Sequence, residues 1–210
     1  MKTFLSKPPL RLLVSFSLGV VCAVVMYTII TTDMTRASFT LEPRSNTPGH
    51  DDVHVHADWL VILDHQQYRF TDERYQSPGG NYKHEYLHLH SGDDHVIHRH
   101  ADGAPLGEFL SSLGWRLHTD ETCLQTDLST EYCADDDNQL VLLVNGEPVT
   151  SIADYEFQDE EQLLLYYGRL DDARLADYLK QITDEACLYS GTCPERGVAP
   201  PTDCGITCEA

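Results

Sequence analysis

Basic residues are scarce in this chain: 14 Lys and Arg stand against 34 Asp and Glu, a formal charge of −20 with histidine neutral. A field of that sign repels nucleic acid and anionic lipid and draws cations, so nucleic acid is excluded as a partner. Methionine is scarce too, at 3 residues. No cysteine stands beside the histidine-rich stretch described below, so the soft ligands that select Cu(I) are lacking there. No phosphate-binding glycine loop, dinucleotide fingerprint or nucleophile elbow is visible; Gly79-Gly80 and Ser91-Gly92 are turn signals. There is no Cys-x-x-Cys redox motif, because Cys204 and Cys208 flank Gly205-Ile206-Thr207, and Cys187 and Cys193 are further apart.

Charge is lacking altogether between residues 12 and 32. Lys2, Lys7 and Arg11 precede that run, which contains Leu12, Leu13, Val14, Phe16, Leu18, Val20, Val21, Val24, Val25, Met26, Ile29 and Ile30. A bilayer core needs about 20 mostly apolar helical residues, and flanking cations favour the cytoplasmic side. The run predicts a retained single-pass anchor with the N-terminus cytoplasmic and the remainder extracytoplasmic. A cleaved signal has an apolar core of only about 7–15 residues. Cys22 is preceded by Val21, where a lipoprotein site wants a small residue. The remaining cysteines, Cys123, Cys133, Cys187, Cys193, Cys204 and Cys208, suit an oxidising compartment and a disulfide framework. Connectivity is open from sequence. The sequence-local choice is Cys123–Cys133, Cys187–Cys193 and Cys204–Cys208.

Against these absences stands an abundance of histidine. His54/His56, His88/His90 and His98/His100 are three His-x-His pairs. In a strand, residues i and i+2 project from one face, so each pair aims two imidazoles the same way. Imidazole suits Zn(II), Cu(II), Ni(II) and Fe(II). The predicted ligands are His54, His56, His88, His90 and His98, with His100 next. Asp58, on the same strand face as His54 and His56, can ligate or accept an imidazole N–H. Five or six nitrogens exceed one tetrahedral zinc site, which leaves two metals, outer-shell histidines or a buffering surface as explanations. The bland alternative is a polar sheet face whose histidines bond to Asp58, Asp93, Asp94 and Asp102. Lone residues such as His50, His65 and His118 are read as surface.

Residues 33–52, with Pro43, Pro48 and Gly49, read as a tether after the anchor of residues 1–32. Residues 53–63 alternate as a strand, and Asp64-His65-Gln66-Gln67 turns it into a short strand over residues 68–71. Residues 85–90 and 95–100 form a hairpin. A three-residue loop over residues 92–94 sets His88 and His90 on the face of Val96, His98 and His100, whereas a two- or four-residue loop swaps in His95 and Ile97. The first gathers more imidazoles. Pro105 opens a short helix with Leu106, Phe109, Leu110 and Leu113 on one face, closed by Gly114. An acidic insert over residues 119–138 precedes a strand at residues 139–144, a tight turn at Asn145-Gly146, and a strand at residues 162–167 closed by Gly168. Residues 171–182 read as an amphipathic helix, and residues 187–210 as a tail held by disulfides.

From residue 85 to Gly168 the order is strand, strand, helix, strand, strand, strand. This order, with Val144-Asn145-Gly146-Glu147-Pro148-Val149 and Asp159-Glu160-Glu161 leading into Leu163-Leu164-Leu165-Tyr166-Tyr167-Gly168, resembles the β-grasp fold of ubiquitin and the sulfur-carrier proteins. There is no terminal Gly-Gly, so only architecture carries over. His54-Val55-His56, His88-Leu89-His90, Val96-Ile97-His98, Leu106-Gly107-Glu108-Phe109-Leu110, the run from Cys187 to Gly197, and Cys204-Gly205-Ile206-Thr207-Cys208 resemble a family of uncharacterised, membrane-anchored, histidine-rich bacterial exterior proteins. Some of its members carry a disulfide-isomerase label.

The expected fold is therefore α+β: a mixed β-sheet with one short packing helix, β-grasp-like, over residues 53–168, with an N-terminal transmembrane helix and a disulfide-stapled tail over residues 169–210. The expected function is capture of Cu(II) or Zn(II) on a histidine-lined sheet face. The partners expected are the metal ion and the membrane; no protein partner is legible. The alternatives are a zinc or copper enzyme that activates water, a thiol-disulfide oxidoreductase working through the C-terminal cysteines, and a structural or adhesive domain.

Overall fold

A computed structural model of the chain describes residues 53–77, 83–84, 86–89, 92–171 and 173–200. The expected anchor and tether, His90, Cys204 and Cys208 lie outside them. Among the described residues no helix is long and apolar enough to cross a membrane.

The strongest apolar segment takes the centre of the fold. Val55–Leu63 (β1) turns through Asp64 and His65, both at positive φ, into Gln66–Gln67 (β2), which pairs back on Ile62 and Leu63. The returning strand therefore comes two residues earlier than expected, because the turn is the tight two-residue kind. Leu87–His88 (β3) and Val96–Arg99 (β4) follow. The helix Leu106–Ser112 (α1) has Pro105 at its N-cap position, with no side-chain capping bond, and exits through Gly114 at φ +83°. The acidic insert is itself structured: its Cys123–Gln125 (β6) and Glu131–Cys133 (β7) make a small antiparallel sheet with Arg116–Leu117 (β5), which stands just before it. Cys123 and Cys133 are opposed across it and disulfide-bonded. Gln139–Val144 (β8) and Glu147–Pro148 (β9) flank the Asn145-Gly146 turn, with φ of 51° and 87°. Gln162–Gly168 (β10) ends the sheet.

The main sheet is mixed, in the order β3-β4-β1-β10-β8-β9, with β2 on β1. β1 runs parallel to β10 and antiparallel to β4. The sequence-based reading paired residues 85–90 and 95–100 as a hairpin, with the first strand close to it. In the structure β4 is shared: His98 pairs with His88 on one side and with His56 on the other. The reason is burial. From Ala57 to Leu63 every residue of β1 is buried, and a strand covered on both faces must also satisfy both rows of backbone polar groups.

The two faces of β1 divide by residue parity. Ala57, Trp59, Val61 and Leu63 enter the principal core with Leu87, Ile97, Phe109, Leu110, Trp115 and Leu165. Leu60 and Ile62 face the other way, with Leu143, Leu164, Tyr166 and Ile182. The same face carries His56 and Asp58 further up the strand, so it changes from polar to apolar along β1. The C-terminal segment covers it. Leu175–Leu179 (α2) packs Leu175, Tyr178 and Leu179 onto the apolar half. This helix is shorter than the twelve residues expected from periodicity. Ala186–Ser190 (α3) lies over the polar half, its loop closed by the Cys187–Cys193 disulfide.

Candidate metal centre

Register decides which histidines meet. His88, His98 and His56 form one lateral row across β3, β4 and β1. The parity of the β3–β4 connection is the one expected from a three-residue loop, so His88 shares a face with His98. His54 lies just before β1 and His100 just after β4, which extends the row into a patch. His54 touches His56 and His100 with ring centroids 4.6 Å apart in each case. His56 meets His98 at 4.6 Å, edge to face. His88 stacks on His98 at 5.7 Å and on His100 at 4.9 Å.

Four of these rings are buried: His56, His88, His98 and His100 are each 3% exposed or less. His54 is exposed at the lip. Partial desolvation lowers the His54 pKa, and Asp159 opposes that shift, so its nitrogens reach the neutral, ligating form more readily than those of a free imidazole. Several imidazolium ions packed at these distances out of water would be costly.

His54, His98 and His100 each offer a nitrogen, and these three atoms lie within 4.8 Å of one another. Zn–N bonds of about 2.0–2.1 Å place tetrahedral nitrogens about 3.4 Å apart. Reaching that spacing asks the widest pair to close by about 1.4 Å at most. This three-histidine group can hold a metal ion.

The remaining expected ligands are placed differently. His56 and His88 lie against the group in ring contact. Asp58 is buried, with its carboxylate turned to the C-terminal segment: Oδ1 accepts from Thr183 Oγ1 at 2.5 Å and Glu185 N at 2.8 Å, and Oδ2 from Ala186 N at 3.0 Å. It caps the start of α3. Of the residues offered as polar partners in the bland alternative, Asp93 accepts from the Tyr189 hydroxyl at 2.7 Å and from His95 N. Asp94 receives Arg69 in a bidentate pair at 2.6 and 2.9 Å. Asp102 lies 3.5 Å from Arg99 on the opposite face.

Three residues at the cluster had no place in the sequence-based site. Tyr189 of α3 packs on His56 at 5.7 Å and on His98 at 5.0 Å. Burial and Asp93 push its phenol up in pKa, so it stays a protonated donor. Ser190 Oγ bonds His56 Nδ1 at 2.8 Å. Asp159, in the turn before β10, accepts from Ser190 Oγ at 2.6 Å and from the His56 backbone N–H at 2.9 Å. The sole sequence signal for Tyr189 and Ser190 was their position inside a short disulfide loop. Asp159 was hidden in an acidic run, Asp159-Glu160-Glu161. No family model, curated protein or solved structure matches the chain.

Proposed function

We propose that this is an anchored extracytoplasmic protein that captures a divalent transition metal, Cu(II) or Zn(II), on the histidine face of its sheet. The observation that carries the reading is the convergence of His54, His98 and His100 nitrogens within 4.8 Å. An all-imidazole donor set without thiolate or thioether suits both ions, and at equal supply Cu(II) binds more tightly. The exposed His54 gives an entry path, and the acidic chain raises the local cation concentration. Three protein ligands with an open position are also the pattern of catalytic zinc, so a fourth protein donor separates capture from catalysis.

The anchor follows from the uncharged run after three cations, and two disulfides in the described residues suit an oxidising compartment. The β-grasp resemblance is supported by the strand order β4-β1-β10-β8-β9 with a parallel β1–β10 pair. In that comparison β1, rather than residues 85–90, stands as the first strand. The family of histidine-rich anchored exterior proteins fits the same reading. The decisive experiment is metal analysis and titration of the extracytoplasmic part purified without a histidine tag. Stoichiometric Cu(II) or Zn(II) lost on replacing His98 and His100 supports capture; a protein that takes up neither ion refutes it. Protease added to intact cells should remove the domain, and full protection would refute the topology.

A further inference from the structure

The donor set just described has three members, yet a fourth imidazole touches two of them. His56 lies 4.6 Å from the rings of both His54 and His98; its nitrogens are not among the three that already converge, so ligation asks its ring to shift toward them. Its ring is tied to a hydroxyl, which is tied in turn to a carboxylate. The Ser190 Oγ to Asp159 Oδ1 separation is 2.6 Å, and the Ser190 Oγ to His56 Nδ1 separation is 2.8 Å. One proton assignment satisfies both contacts. An ionised carboxylate only accepts, so Ser190 gives its single hydroxyl proton to Asp159. Its oxygen must then accept from His56, which fixes the neutral ring as the Nδ1–H tautomer with its lone pair on Nε2. The opposite assignment would press two hydrogen-free oxygens together at 2.6 Å.

We propose that His56 is the fourth imidazole donor of the centre formed with His54, His98 and His100, and that Ser190 and Asp159 are its positioning residues. This rests on the metal-capture reading and deepens it. Metal-bound histidines characteristically give their other ring N–H to an oxygen, which fixes ring orientation and raises ligand basicity. Here a serine relays that role from a carboxylate. Asp159 also accepts the His56 backbone N–H at 2.9 Å, so the same oxygen holds both ends of the residue. His88, by contrast, lies flat against His98 and His100, with interplanar angles of 5° and 10°, and serves as packing behind them. A four-imidazole site is closed, which makes the centre a capture site rather than one that activates water.

The test uses the tagless extracytoplasmic protein, uniformly 15N-labelled, with Zn(II) as the probe and a competing chelator to read affinity. Two-bond 1H–15N spectra of the metal-free protein should show His56 as the Nδ1–H tautomer. Ser190→Ala should weaken Zn(II) binding by about 10–100-fold, the usual range for an outer-shell partner. Ser190→Thr, which keeps the hydroxyl, should restore it. His56→Ala should cost more than Ser190→Ala, and X-ray absorption should count four nitrogens. His56 found as the Nε2–H tautomer overturns the proposal. So does Zn(II) affinity unchanged in both Ser190→Ala and His56→Ala while His98→Ala still abolishes it; that outcome leaves three-histidine capture standing. A wild-type protein that binds no Zn(II) or Cu(II) removes both readings together. Should Ser190→Ala fail to fold, Asp159→Asn carries the same expectation of weaker binding, and unchanged affinity there overturns the relay.

Discussion

His56 of β1 and His98 of β4 are directly opposed across an antiparallel pair, and their rings meet edge to face at 4.6 Å. The contact joins two residues 42 positions apart in sequence. It exists because β4 pairs with β1 as well as with β3. Had β3 and β4 formed an isolated hairpin, His54 and His56 would belong to another part of the surface. A single strand register thus gathers His54, His56, His88, His98 and His100, drawn from three separate sequence pairs, into one patch.

The first prediction tests whether the patch is a built site. His98→Ala with His100→Ala should reduce metal affinity by more than about 100-fold, beyond the upper range for outer-shell losses. Replacing His65 and His118, which stand away from the patch, should leave it within a few-fold. Isothermal titration of both double variants is sufficient. Similar losses in the two would mean diffuse binding by exposed histidines.

The second prediction concerns acid. Metal binding requires neutral imidazoles, so it should weaken as pH falls through the range near 6.5. His54 has its pKa held below the ordinary value by desolvation, so at this ligand proton competition sets in at lower pH. The sign for stability follows. Below about 6.5 the unfolded chain takes up a proton at His54 before the folded one does. The metal-free fold should therefore lose stability as pH falls through that window, and gain it as pH rises. Urea midpoints at two pH values either side of the window will read this, and His54→Gln should remove part of the slope.

Much of this was legible in the sequence, and the exceptions have physical causes. The strand at β8, the Asn145-Gly146 turn, the strand at β10 and the Pro105-to-Gly114 helix carry strong local signals, and each forms within a residue or two of its expected limits. The shared face of His88 and His98 was one of two parities the sequence left open, preferred because it gathers more imidazoles, and it is the one that forms. The central place of β1 was not legible, because pairing partners are chosen by long-range burial rather than by local pattern. The roles of Asp58, Asp159 and Ser190 were hidden for the same reason. Each is a side chain acting across more than thirty residues of sequence onto another element. The helix expected over residues 171–182 shortened to Leu175–Leu179. Its apolar stripe was real, and a few residues sufficed to cover Leu143, Leu164 and Tyr166.

The third prediction concerns the small disulfide. Cys187 and Cys193 close the loop that carries Tyr189 and Ser190 onto the histidines. Mass spectrometry without reductant should find Cys123 linked to Cys133 and Cys187 linked to Cys193. A five-residue helix has little stability of its own. Replacing both Cys187 and Cys193 by Ala should therefore loosen the cover, with a loss of up to about 2–4 kcal/mol and faster metal exchange. Replacing Cys123 and Cys133 should destabilise the small sheet and leave metal exchange unchanged.

A fourth prediction comes from helix α1. Gly107 faces Ala153 so closely that a Cβ would stand 2.8 Å from the Ala153 carbonyl oxygen and 2.9 Å from its Cα. The Gly107 N–H also donates to that oxygen at 3.1 Å. Both obstacles are backbone, so neither can swing away. Gly107→Ala should destabilise the fold by about 1–3 kcal/mol through overpacking, despite alanine's better helix propensity. Chemical denaturation will show the sign, and a stabilised variant would contradict the close approach.

The last prediction separates ligand from cap at Asp58. Its carboxylate is buried and takes three hydrogen bonds, from Thr183 Oγ1, Glu185 N and Ala186 N. These fix the chain at the point where it enters α3, the helix bearing Tyr189 and Ser190. Removing the acceptor leaves buried donors unmet, at about 1–3 kcal/mol. Asp58→Ala should therefore lower global stability by at least that amount, in the absence of metal as well as in its presence. Asp58→Asn keeps one accepting oxygen and should cost less. A metal ligand behaves otherwise: its loss would leave the metal-free protein nearly unchanged and would erase the stabilisation that bound metal adds. Urea unfolding of wild type and both variants, each with and without saturating Zn(II), distinguishes the two. The structure predicts a large drop in the metal-free curves and a retained, though smaller, metal-induced increment. The increment should shrink because α3, once loosened, holds Ser190 less firmly against His56.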